Sequence, residues 1–145
     1  MPSTRTLRLA SSRSVIVLAN GVFDLFHIGH LLYLEAAKLM GDRLIVSVTR
    51  NAYVNKGPGR PFFNEGQRLS IIQAMRCVDD AFLTNGALEA LEIVKPDIFV
   101  KGNDYVGKIE QRHSDYCRAH GIVIAFTDQP VFSTTEIINA RLRQG

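Results

Sequence analysis

At 145 residues the chain has the length of one ordinary domain, enough to bury a core without disulfides or a structural metal. Hydrophobic residues make up 46% and charged residues 21%, and no apolar run has the length of a bilayer span; a disordered chain and a membrane helix are both excluded. The net charge of +3 is mild and spread along the chain, so it suits anionic small molecules, or no particular partner, more readily than nucleic acid.

Residues 1–13 are rich in Ser and Arg, lack acids and read as a leader to a domain over residues 14–145. Short β-branched runs then alternate with amphipathic stretches. Strands are expected at Val15 to Ala19, Leu44 to Thr49, Asp80 to Leu83, Ile98 to Lys101 and Ile122 to Phe126. Helices are expected at His30 to Met40, Glu65 to Arg76, Ala87 to Val94, Ile109 to Ala119 and Thr134 to Arg143. Gly41 and Gly121 stand where helices would end in the left-handed conformation, and Ser133 with Glu136 has the spacing of a capping box opening the last helix. Cys77 and Cys117 lie far apart in helix-like stretches, a pattern of free thiols that places the chain in a reducing, cytoplasmic compartment.

Strict alternation implies right-handed βαβ units and hence a Rossmann-like three-layer α/β sandwich with a parallel sheet of about five strands. Ligands of such sheets bind beyond the carboxyl ends of the strands. The loops Gly21 to Gly29, Arg50 to Asn64, Gly102 to Lys108 and Thr127 to Ser133 all emerge at that edge, and they hold the polar clusters of the sequence.

The segment Gly21-Val22-Phe23-Asp24-Leu25-Phe26-His27-Ile28-Gly29-His30 follows directly on the first strand. A glycine turn that opens a helix is a seat for phosphate, because the first N–H groups of the helix lack internal partners. Two imidazoles placed there suggest chemistry on that phosphate. Lys56-Gly57-Pro58-Gly59-Arg60-Pro61, Lys101 to Lys108 and Ser133-Thr134-Thr135 follow in order. Together these four stretches resemble the HxGH nucleotidyltransferase superfamily, whose members move a nucleotidyl group from a triphosphate to a phosphate-bearing acceptor and release pyrophosphate. The resemblance covers nearly the whole chain after the leader. A dinucleotide-binding module would instead want a Gly-x-Gly-x-x-Gly loop and an acid after the second strand, and this chain has neither. A nucleotide-binding module without catalysis would have little reason to keep both histidines and Lys56.

The resemblance assigns His27, His30 and Lys56 to catalysis. The histidines hydrogen-bond the α-phosphate and the lysine neutralises phosphate charge. Gly21, Phe23, Asp24 and Gly29 belong to the same nucleotide-binding motif. Phe23 reads either as a core plug or as a ligand contact, and Asp24 either as a turn residue or as an organiser of the site, through a metal or otherwise. Lys101, Gly102, Asn103 and Asp104 match the base- and ribose-binding segment of relatives, and Ser133, Thr134 and Thr135 the β- and γ-phosphate seat. Arg60 and Arg68 are candidates for acceptor or phosphate binding, with ordinary surface roles as the alternative. Arg68 falls where relatives place a phosphate-holding arginine, but their glutamate two residues earlier is Gly66 here, with Glu65 displaced by one.

The base is contested. Tyr105-Val106-Gly107-Lys108 resembles glycerol-3-phosphate cytidylyltransferases and tilts toward CTP. Those enzymes carry an arginine several residues before the last motif, where this chain runs Thr127 to Phe132 without one. The Lys56 to Pro61 loop and the Phe126 to Asp128 run resemble the nucleotidyltransferase domain of heptose-1-phosphate adenylyltransferases, which use ATP. The cytidylyltransferase domains of phosphonate antibiotic pathways are a third relative. The leading expectation is transfer of CMP from CTP to a small phosphate or phosphonate, and the alternative is adenylyl transfer to a sugar 1-phosphate. Mg²⁺ is expected with the triphosphate, no dedicated metal site is visible, and relatives are commonly homodimers. The end of the chain soon after the last helix suits one domain taken from a larger enzyme.

Overall fold

The computed structural model describes residues 13–128. The leader, the last expected helix and the Ser133 to Thr135 motif with its capping box lie outside these residues. In chain order the elements are β1 (Ile16–Gly21), α1 (Ile28–Lys38), β2 (Arg43–Thr49), α2 (Glu65–Gln73), β3 (Asp80–Thr84), α3 (Ala87–Val94), β4 (Ile98–Lys101), α4 (Gln111–Ala119) and β5 (Val123–Phe126). Single 3-10 turns at Asn51–Tyr53 and Asn103–Tyr105 interrupt the loops after β2 and β4.

The five strands pair in the order β3-β2-β1-β4-β5, all parallel. β1 is therefore central, and the chain reverses its direction of winding between β1 and β4. Ala19 lies opposite Val46 on one side and Val100 on the other. Alternate β1 residues face opposite layers. Val17 and Ala19 join Leu34 and Ala37 of α1 and Ile72 of α2, while Leu18 joins Ala90 and Leu91 of α3 and Cys117 of α4. Both faces are thus apolar and helix-covered, which is what parallel pairing requires. The expected three-layer Rossmann-like architecture is the one observed.

Several boundaries shift by one to three residues, as where the helix expected over Glu65 to Arg76 ends at Gln73, and two features of α1 have identifiable reasons. α1 starts two residues before His30, because the His27 side chain itself caps the helix. Gly41 does not end α1 in the left-handed conformation, since the cap residue Leu39 keeps φ −66° and Gly41 has no positive φ. A Cβ on Gly41 would stand 2.6 Å from Val17 Cγ2 and 2.9 Å from the Val15 carbonyl oxygen, so close packing on β1 explains the glycine. Gly121 does adopt positive φ, at +68°.

Candidate active site

His27 occupies the N-cap of α1 with extended backbone, φ −139° and ψ 178°. Its Nδ1 accepts the Gly29 N–H at 3.1 Å, and the His27 N–H donates to His30 Nδ1 at 3.2 Å. A neutral imidazole has one acceptor and one donor nitrogen, so with Nδ1 accepting in both rings the proton is assigned to Nε2 in both. Their centroids lie 3.9 Å apart. Burial, then the charges of His27 and Lys56, push the His30 pKa down to about 4, and burial lowers that of His27. Both rings are therefore neutral donors near pH 7. His27 Nε2 is buried and has no hydrogen-bond partner among the described residues, and the first turn of α1 holds no acid to oppose the positive end of the helix dipole.

The turn that presents these rings is tightly built. Phe23 and Leu25 adopt φ of +54° and +48°, which for side chains with a Cβ costs roughly 1–2 kcal/mol each. Phe23 takes the core-plug place. It is buried, its ring meets His30 edge-on at 5.7 Å, and a Cβ on Gly21 would lie 2.9 Å from that ring. The turn closes only because residue 21 lacks a side chain.

Asp24 is 2% exposed and turns away from the solvent edge. Its two oxygens accept the N–H groups of Phe62 and Phe63 at 2.7 and 2.9 Å, and Arg60 Nε lies 3.4 Å away. Burial raises its pKa, but the backbone donors and Arg60 outweigh that and hold the carboxyl below its usual range. Asp24 thus organises the loop in front of the turn. The guanidinium of Arg60 stacks over the Phe62 ring, 5.3 Å from its centroid.

Lys56 lies in the same loop, and its charge adds to burial and His27 in lowering the His30 pKa. Although the residue is exposed, protein atoms crowd its ammonium and, together with Arg60, lower its pKa. Gly57 and Gly59 at φ +92° and +74° shape the backbone beside it. His27 and His30 are thus brought ring to ring, and Lys56 lies in the loop after β2 at the same carboxyl edge of the sheet.

Arg68 has a different place from the one the resemblance implies. It is 0% exposed, donating from Nη1 to the carbonyls of Val22 and Thr49 at 2.8 Å each, from Nε to Phe63 O at 3.0 Å and from Nη2 to Asn51 Oδ1 at 2.7 Å. Four of the five guanidinium donors are occupied, and no surface of the residue is open to a phosphate. Sequence reasoning also passed over Asn51. Its N–H donates to Glu65 Oε1 at 2.9 Å, so the glutamate displaced by one position still serves this junction.

Lys101 ends β4, next to β1 in the sheet. Its ammonium lies 4.0 Å from the Tyr105 ring centroid and 5.8 Å from that of Phe99; burial lowers its pKa against the opposing pull of Asp104 and Glu110. Asn103 and Asp104 form the exposed 3-10 turn that follows. The space above Gly102 is taken by Asp104, whose Oδ1 would stand 2.6 Å from a Cβ there. Tyr33 of α1 donates to the Val100 carbonyl at 2.7 Å, which ties the helix of the two histidines to the strand that ends in Lys101. Among the described residues no group of three His, Cys, Asp or Glu side chains could hold a metal, and the Asp24 oxygens are already occupied by N–H donors. The described residues therefore do not fit a resident Mg²⁺.

Residues 18–140 match the family described as Cytidylyltransferase-like. The chain belongs to that family. As a member it is a nucleotidyltransferase, and the fold and the ordered motifs agree with that assignment. It is 43% identical over 110 residues to the bifunctional protein HldE of Azotobacter vinelandii, covering 73% of this chain and 23% of that protein. It is 37% identical over 133 residues to bifunctional HldE of Pseudomonas fluorescens, covering 89% of this chain and 28% of that one. This family member thus spans about a quarter of the length of the curated relatives it matches. The crystal structure of a lipopolysaccharide core biosynthesis protein from Thermoplasma volcanium superposes with a TM-score of 0.70 at 31% identity, over 81% of this chain and 99% of that one. No helix among the described residues is long and apolar enough to cross a membrane.

Proposed function

We propose that the chain transfers AMP from ATP to a sugar 1-phosphate of the heptose 1-phosphate type, releasing pyrophosphate. The observation that carries this reading is the similarity to HldE proteins, which supports adenylyl transfer over the cytidylyl transfer that the sequence put first. The Lys56 to Pro61 loop is part of that likeness, since it resembles the loop of heptose-1-phosphate adenylyltransferases. A structural relative in lipopolysaccharide core biosynthesis, and hence in saccharide assembly, suits a sugar acceptor.

In this reading one phosphate oxygen of the acceptor attacks the α-phosphorus, the bond to the bridging oxygen breaks, and pyrophosphate leaves with the electron pair. Two anions must meet in line, so the enzyme's task is positioning and charge neutralisation. His27 and His30 donate from Nε2 to the α-phosphate oxygens, whose charge the N-terminus of α1 also favours. Lys56 approaches from the facing loop and offsets repulsion between the two phosphates. Lys101 and the turn after it hold the nucleoside side. Ser133, Thr134 and Thr135 are assigned to the outer phosphates, and Mg²⁺ enters bound to the triphosphate.

Pyrophosphate release, measured with ATP and with CTP against heptose 1-phosphate, glycerol 3-phosphate and hydroxyethylphosphonate, tests the reading. Turnover is expected with ATP and heptose 1-phosphate. Turnover with CTP alone would move the assignment to the cytidylyl reading, which the Tyr105 to Lys108 segment favours.

A further inference from the structure

We propose that Arg68 is a positioning residue that buckles both ends of the Lys56 loop to the histidine turn and so sets the spacing of the phosphate site without touching substrate. The inference rests on the assignment of His27, His30 and Lys56 to the reaction.

The geometry has three parts. Arg68 reaches the start of the loop through Asn51 Oδ1 and its end through the Phe63 carbonyl, so the segment between them, which holds Lys56 and Arg60, is closed by one guanidinium. The same guanidinium grips the Val22 carbonyl in the β1–α1 turn and the Thr49 carbonyl at the end of β2. Asp24 completes the link from the other side. Its carboxylate receives the Phe62 and Phe63 N–H groups, so Phe63 is held to the turn through its N–H by Asp24 and to Arg68 through its carbonyl. Glu65 fixes the Asn51 N–H, which leaves that end of the loop held at two atoms. Between the clamped ends the glycines at 57 and 59 allow the backbone to turn, while the ends stay in register with the histidines.

A planar fork is what this arrangement needs. Four N–H donors diverge to four acceptors on three segments, a geometry that a lysine ammonium with three donors on a flexible stem does not reproduce. A phosphate-binding arginine would need exposed N–H groups, and Arg68 is wholly buried.

The test compares Arg68→Lys and Asn51→Ala with the wild-type chain. Three quantities are read: kcat and KM with Mg²⁺–ATP and heptose 1-phosphate, calorimetric affinity for ATP and for CTP, and the imidazole nitrogen resonances of His27 and His30. Arg68→Lys is expected to lower kcat by about a hundredfold, as for a misplacement of about 1 Å, with triphosphate affinity changed by less than about threefold and the imidazole resonances shifted. Asn51→Ala removes one of the two atoms that hold that end of the loop and leaves the N–H on Glu65, and it is expected to lower kcat less, with those resonances unmoved. It also carries the test if Arg68→Lys does not fold. Loss of triphosphate affinity equal to the loss in kcat, with unmoved imidazole resonances, would overturn the proposal in favour of direct phosphate binding. So would full activity in a folded Arg68→Lys chain, or in Asn51→Ala where the lysine variant does not fold. A His30→Ala chain of unimpaired rate would instead sink the assignment of the site, and the imidazole shifts would still report on the buckle.

Discussion

His27 and His30 differ from ordinary surface histidines because the backbone occupies one nitrogen of each ring. In the proposed reading His30 donates to developing charge, so on replacing it by Ala turnover should fall by about 10²–10³-fold in a pyrophosphate-release assay while the circular dichroism spectrum is retained. The same residue makes a pH prediction. Its pKa drops from 6.5 in the unfolded chain to about 4 in the fold, so the unfolded state binds the proton more readily between those values. Stability is therefore lost as pH falls from 6.5 toward 4, and Tm across that window should decline less steeply in His30→Ala than in the wild type. Equal slopes would show that His30 is not held neutral.

At the scale of elements, the β1–α1 turn concentrates strain that the surrounding packing must hold. Gly21→Ala places a methyl group against the Phe23 ring, and overpacking of this kind costs about 1–3 kcal/mol. The expected result is a lowered Tm with activity lost to a greater degree than stability, because the displaced ring abuts His30. A Tm equal to wild type would mean that Phe23 yields freely. The elements themselves were readable from sequence. Period and punctuation located every described strand and helix to within a few residues, and Ile98–Lys101 and Ala87–Val94 to the residue. What pattern could not convey was which partner a glycine or a charged side chain meets. Gly41 looks like a helix end and is a contact with β1; Arg68 looks like a surface arginine and lies at zero exposure. Both depend on segments tens of residues away. Asn51 gave no signal at all, since an asparagine after a strand reads as an ordinary turn residue.

For the whole molecule, the order β3-β2-β1-β4-β5 puts the histidine turn at the reversal of winding, with the Lys56 loop over β2 on one side and Lys101 over β4 on the other. Among the described residues the motifs converge because the topology brings three sequence-distant loops, those after β1, β2 and β4, to one edge. Binding of a triphosphate across that edge should stabilise the fold by mass action. With Mg²⁺–ATP at a hundred times its dissociation constant the gain is about 2.7 kcal/mol. Thermal unfolding is expected to rise more with ATP than with CTP at equal concentration, and the reverse order would favour cytosine independently of any acceptor.

The locked tautomer of the two imidazoles also bears on water. A hydroxyl or a water molecule can attack phosphorus well only after giving up a proton, and in both rings the nitrogen that would take it already accepts a backbone N–H. In the proposed reading the histidine seat stabilises negative charge while offering no proton sink, and a bound triphosphate would be protected from wasteful hydrolysis until an acceptor already carrying its own negative charge arrives.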